Sequence, residues 1–273
     1  MKIVFFGATG GCTLACLVRS LQDGYMCIAL ARTPSKLRTL LKQNGIPSSI
    51  QDSLLTIIQG DVTDLSAVQQ TLTTTTATTP DTTPLSPSTN PDEDPILPDL
   101  IISGLGGTPS ITLSGAVLDN PSICTDGVST ILSALRHIHT QSPAARKPYL
   151  AVISTTGLDH AKRDIPLAMI PLYRWLLAAP HVDKRNMEGV VKAEMAVENE
   201  AQRVIKGAVV VRPSLLTDGK VLGVESVRAG SEDVPAVGYT ISRGDVGGWV
   251  FEEVVGRYPE GLVEGVRVVS LTY

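Results

Sequence analysis

The chain has 273 residues, 43% of them apolar, which is enough to bury a substantial core without disulfide or metal staples. Its formal net charge of −4, without a basic block, argues against nucleic acid and acidic membrane surfaces as main partners. No apolar run approaches the roughly 20 residues of a membrane span, and the start lacks the basic head and long apolar middle of a signal peptide, so a cytoplasmic protein is expected.

Lys2–Phe6 is a short apolar run closed by Gly7, the pattern of a buried parallel strand. Leu14, Ala15, Val18 and Leu21 then recur at helical spacing, and Gly24 ends that helix. A strand over 27–31, a helix over 35–43, a strand over 54–59 and a helix over 65–72 follow. Residues 73–98 break the rhythm with a threonine run and a cluster of Pro, Ser, Asp and Asn, predicting a disordered surface insertion, with a lid or docking segment as the functional alternative. The pattern resumes with a strand at Leu100–Ser103, a helix over 126–139, a strand over 149–154, a helix over about 183–201 and a strand over 208–212. Ser242-Arg243-Gly244-Asp245 has capping-box spacing ahead of Val246, Trp249, Val250 and Val254, and a last strand covers 266–271. This alternation predicts a single α/β domain over 1–273, a Rossmann-type doubly wound parallel sheet with a small C-terminal substrate lobe built from about 157–190 and 214–240.

The chemistry concentrates at expected strand ends. Gly7, Ala8, Thr9, Gly10, Gly11 and Cys12 lie between the first strand and the first helix. There Gly7 permits a tight turn, Gly10 lets a pyrophosphate approach the backbone, and the helix N-terminus presents free N–H groups. Thr13 replaces the third glycine of the usual pattern, which touches helix–strand packing more than binding. Arg32 follows the second strand, where an acidic residue would take the ribose 2′-OH of NAD; an arginine, with Lys36 nearby, suits the 2′-phosphate of NADP(H). Asp61, beside Val62, has two open uses: receiving the adenine amino group or capping the next helix. Gly104, Leu105 and Gly106 close the fourth strand, and Ser154 and Thr155 the fifth, where their hydroxyls are expected to face a nicotinamide or to cap a helix. Cys12, Cys16, Cys27 and Cys124 read as small buried hydrophobes in a reducing compartment, with no metal site. Cys12 has a redox-sensing alternative because it would lie beside the phosphates.

These residues carry a resemblance. Gly-Ala-Thr-Gly at 7–10, Ala-Arg-Thr-Pro-Ser-Lys-Leu at 31–37, Gly60-Asp61-Val62, Lys192-Ala193-Glu194, Val-Val-Arg-Pro-Ser at 210–214 and Ile-Ser-Arg-Gly-Asp-Val at 241–246 resemble the atypical short-chain dehydrogenases. Within that group the chain is similar to NmrA-like, isoflavone-reductase-like and biliverdin reductase B-like proteins. The resemblance implies NADP(H) binding, a cytosolic location and a small organic substrate over the nicotinamide; Pro213 and Ser214 are expected to position that ring, and a monomer or homodimer is expected. Relatives with such insertions suggest secondary metabolism.

The proton donor is where the pattern departs. A Tyr-x-x-x-Lys pair lowers a tyrosine's pKa in conventional members, yet Glu188 stands four residues before Lys192. Lys192, Glu188, Ser154 and His160 are therefore the candidate catalytic residues, against a solvated Glu188–Lys192 ion pair and a surface role for His160. Asp159, Met169, Tyr173 and Trp175 are candidate substrate contacts, in an apolar stretch that equally suits core packing or a subunit interface. An NADPH-dependent reductase of a small hydrophobic molecule is the leading expectation. A non-redox isomerase or cyclase that keeps NADP(H) as scaffold, and an NmrA-like redox sensor, are the alternatives.

Overall fold

The computed structural model describes residues 1–74, 95–112, 115–158, 162–262 and 264–273. In chain order the elements are β1 (Lys2–Phe6), α1 (Gly11–Gln22), β2 (Met26–Ala31), α2 (Pro34–Gln43), α3 (Ser48–Leu54), β3 (Leu55–Gln59), α4 (Leu65–Thr73) and β4 (Leu100–Ser103). They continue with β5 (Pro109–Thr112), β6 (Gly115–Leu118), α5 (Ile123–Gln141), β7 (Tyr149–Ile153), α6 (Ile170–Leu176), α7 (Ala178–Met195) and β8 (Gly207–Pro213). The last are β9 (Leu215–Thr217), β10 (Arg228–Ser231), β11 (Thr240–Ser242), α8 (Arg243–Val250) and β12 (Gly265–Thr272). The insertion expected at 73–98 falls mainly at 75–94, outside the described residues, as do Asp159 and His160.

Eight strands form one sheet in the order β10-β12-β8-β7-β4-β1-β2-β3. Each neighbouring pair is parallel except β10 with β12, which is antiparallel. Strand order reverses between β1 and β4, so the crevice for a ligand opens at their carboxyl ends. Successive side chains alternate between two cores: Ile3 and Phe5 face α1, α2 and α8, while Val4 and Phe6 face α4, α5 and α7. This two-sided burial is why the central strands read as unbroken apolar runs.

Helix α7 differs from expectation, running from Ala178 to Met195 and stopping short of residue 201, with a separate 3-10 turn at Glu200–Gln202. Lys162 and Asp164 approach the end of β10 beside Arg212 of β8. Lys162 pairs with Asp233 there, and Lys192 with Glu232 at 2.7 Å.

Candidate cofactor and active site

A cleft of about 450 Å³ opens at the carboxyl ends of β1, β2, β3 and β4, a size in the range of ligand sites, roughly 300–1,000 Å³. Its wall begins with Gly7, Ala8, Thr9 and Gly10. Gly7 has φ +74°, and a Cβ there would stand 2.7 Å from the Gly104 carbonyl oxygen, so β1 and β4 come this close because residue 7 has no side chain. The Gly10 N–H donates to the Gly7 carbonyl at 2.9 Å, closing the turn. Gly10 then caps α1 without a side chain, and the first turn of α1 holds no acidic residue among the described residues. The positive end of α1 is left to an anion from outside.

Arg32 and Lys36 stand at the far end of the cleft, both exposed. Neither lies within ion-pair distance of a carboxylate among the described residues. Asp61 lines the same end and accepts from the Thr63 N–H at 3.0 Å, and that bond, helped by the Arg32 charge, holds its carboxyl below the usual value. It is Asp64 whose side chain caps α4. Asp61 therefore closes the turn before the helix rather than capping it. Val62, Gly104, Leu105, Gly106 and Gly107 also line the cleft, with Thr33 of the 31–37 motif, as do Thr108, Asp119 and Asn120, which the sequence did not single out. Asp119 accepts from the Thr108 N–H at 2.7 Å and anchors that rim.

Other expected cofactor residues stand off the lining. Gly11 lies at the start of α1, under Arg243. Cys12 is buried, and burial pushes its thiol up to about 12, against the thiolate that redox sensing needs. Ser214 is buried, and its hydroxyl bonds Thr272 Oγ1 at 3.0 Å beside buried Pro213. Ser154 is also buried, and its hydroxyl donates to Glu188 at 2.5 Å, neither facing the cleft nor capping a helix; Thr155 is the more open of the pair.

Glu188 and Lys192 do not form the ion pair that their spacing suggested. Glu188 is buried, with Oε1 receiving Ser154 Oγ and Arg212 Nε at 2.9 Å, and Oε2 receiving Arg212 Nη2 at 2.5 Å. The helix turns Glu188 toward β7 and β8, while Lys192 reaches out to Glu232. Tyr173 is buried against His181 and Gly157, within 3.4 Å of Thr156 Oγ1. Met169 is half-buried, and Trp175 is exposed.

The sequence reading passed over Lys184. Its ammonium donates to the Leu105 carbonyl at 2.7 Å and the Ile153 carbonyl at 2.6 Å, bridging the chain after β4 to the end of β7 behind the cleft wall at Leu105, without itself lining the cleft. Neighbouring Asp183 holds the start of α5, accepting from the Cys124 and Thr125 N–H groups at 2.9 Å each. The available signal was an acid–base pair one turn before Glu188 on the same predicted helix.

A glycine turn between β1 and α1 at the reversal of a parallel sheet, with a bare helix N-terminus facing a cleft, is the layout of the Rossmann fold. No protein-family model matches the chain. It is 45% identical to reductase pytE of Aspergillus terreus, over 99% of this chain and 97% of that one. It is 42% identical to oxidase pynE of Aspergillus niger, over 93% and 92%. Among solved structures, a wide-type short-chain dehydrogenase/reductase of Veillonella parvula in complex with NADP superposes with a TM-score of 0.63 at 14% identity, over 100% of this chain and 94% of that one. The chain belongs to the family of these fungal proteins and is an oxidoreductase, with the fold of the short-chain dehydrogenases/reductases.

Proposed function

We propose that the protein is an NADPH-dependent reductase of a small, hydrophobic organic molecule in fungal secondary metabolism. The observation that carries the cofactor is the pair of exposed cations, Arg32 and Lys36, at the end of the cleft reached by β2. A guanidinium placed there favours a 2′-phosphate over a bare hydroxyl. Gly7, Ala8, Thr9, Gly10 and the first turn of α1 would hold the pyrophosphate, with Gly104, Leu105 and Gly106 along the nicotinamide half. When bound, the cofactor supplies the hydride.

The chain's own part is orientation and charge. Two of the three Lys184 donors go to main-chain carbonyls. The ammonium also reaches the buried Cys124 thiol, so an oxygen of the cofactor or substrate would have to displace that weak contact to gain the Lys184 charge. Glu188 has both oxygens committed, so we assign it and Arg212 to holding α7 in place. Exposed Leu167, Trp175 and Val182 give the segment before α7 and its first turn an apolar surface, which supports a hydrophobic substrate. Relatives named reductase and oxidase weigh for redox chemistry over an isomerase or a sensor.

Arg32→Asp tests the cofactor. The exchange removes a charge-assisted contact and adds a repulsion, so NADPH affinity is expected to fall by about 10- to 100-fold, with NADH affinity little changed. Equal losses for both cofactors would refute the 2′-phosphate assignment.

A further inference from the structure

α1 and α8 lie side by side with their N-termini together. A Cβ on Gly247 would stand 2.4 Å from the Cys12 carbonyl oxygen and 2.5 Å from Ala15 Cβ. A Cβ on Gly11 would stand 2.6 Å from Arg243 Cδ, so the Arg243 stem rests on the first residue of α1. Both helices thus aim their positive ends at the edge where the glycine turn opens.

Arg243 is the first residue of α8, which Ser242 caps by accepting from the Asp245 N–H. A cation there opposes the helix dipole, so it does not serve the helix that carries it. Its partner is Asp218, at 2.9 Å, with the carboxylate side chain 86% exposed and the arginine 34%. Such a pair contributes little and exchanges readily. Asp218 can also let go without releasing its loop, because Leu222 N–H and Gly223 N–H donate to buried Asp245 at 2.9 Å each. Beneath Arg243, α1 offers uncapped N–H groups with no acidic neighbour in its first turn among the described residues.

We infer that Arg243 is a second clamp on the cofactor's pyrophosphate, held ready on Asp218 and transferred to the phosphates when the dinucleotide enters. This rests on the reading of the cleft as a dinucleotide site, and it adds a cation that is not among the residues lining that cleft. Transfer exchanges one ion pair for another with a doubly charged group on a bare helix end. Asp218 is then a competitor of the cofactor, and its removal strengthens binding.

The test is fluorescence titration of the full chain with NADPH and with NADH, for wild type, Arg243→Gln, Asp218→Asn and Gly11→Ala, at two ionic strengths. Thermal melting without cofactor monitors the fold. Arg243→Gln is expected to weaken both cofactors about tenfold by the same factor, because the pyrophosphate is common to them, and to flatten the salt dependence. Gly11→Ala, which pushes the stem aside without changing charge, weakens both in the same way. Asp218→Asn tightens both by a few-fold. Wild-type affinity in Arg243→Gln overturns the inference, and so does parallel weakening in Asp218→Asn, the mark of a structural strut. Loss of NADPH binding alone reassigns Arg243 to the 2′-phosphate and also overturns it. If the wild type binds neither cofactor, the dinucleotide reading itself fails, and this inference with it.

Discussion

Replacing Glu188 by glutamine leaves its shape and removes its charge, which isolates what the carboxylate does. Glu188 and Arg212 are 5% and 8% exposed at their side chains and meet through two hydrogen bonds. In Glu188→Gln the guanidinium faces a neutral amide whose NH₂ is a donor, so one of the two bonds becomes a donor–donor contact. Breaking a buried pair from one side costs about 3–5 kcal/mol. The lower end applies here, because Glu232 stays 3.7 Å from Arg212 as a partial substitute. At roughly 2–4 °C per kcal/mol for a chain of this size, the melting temperature falls by at least about 6 °C. The assay is urea unfolding followed by the fluorescence of Trp249, which is buried in the core beside α1. Removing both charges, as Glu188→Leu with Arg212→Met, is expected to recover most of the loss, since neither charge is then stranded. A loss below about 1 kcal/mol in Glu188→Gln, or a double variant as unstable as the sum of the singles, would show that the pair is solvated and would reopen Glu188 as an acid or base.

Thr13 and Gly104 form a second coupled pair. A Cβ on Gly104 would stand 1.8 Å from Thr13 Oγ1, so Gly104→Ala alone is expected to cost about 1–3 kcal/mol by overpacking. Adding Thr13→Gly restores most of it, because the next obstacle is Ile153 Cδ1 at 3.3 Å; additive losses in denaturant melts would contradict this. At acid pH, Asp245 sets a limit. Burial pushes its carboxyl up, but the Tyr273 and Ser242 hydroxyls and two backbone N–H groups outweigh that and hold it below 3.8. The unfolded chain then binds the proton first, so stability is lost as pH falls below about 4. Asp245→Asn should flatten that acid slope, and an unchanged slope would remove Asp245 from the account. With the Cys12 and Cys16 thiols pushed up to about 12 by burial, iodoacetamide at pH 8 should label neither in the native protein. Rapid modification of Cys12, located by mass spectrometry, would revive the redox-sensing alternative.

The central fold was legible because its strands are buried on both faces, which leaves apolar runs that end in glycine. Elements at the rim were missed for the opposite reason. β10 is Arg-Ala-Gly-Ser, an edge strand whose side chains are largely exposed, so no alternation marks it. α3 spans 7 residues with one of them buried, and β9 and β11 pair over 3 residues each, too short for either period to register. α7 began earlier than expected because Pro180 falls in its first turn, where a missing N–H costs nothing.

The site divides along a physical line. Gly7, Gly10, Arg32 and Asp61 were legible because a βα unit fixes where the ends of its strands and the turn after β1 must lie. Lys184 was not, because its partners are main-chain carbonyls of two strands distant in sequence, and a carbonyl leaves no residue type to read. Arg212 was not either, because its partner Glu188 lies 24 positions away on another element. What sorts these cations is the charge each has left to offer. Arg212 and Lys192 face carboxylates, so most of their field is cancelled. Lys184 faces neutral carbonyls and a thiol and forms no ion pair among the described residues. Arg32 and Lys36 are exposed at the cleft with no carboxylate within ion-pair distance among the described residues, although the Asp61 and Asp119 carboxylates on the same wall feel the Arg32 charge. An anion entering the cleft is drawn to cations whose charge is uncancelled. By this measure Lys184 ranks above Lys192 as the candidate cation for the reacting end, a reversal of what helical spacing alone suggested.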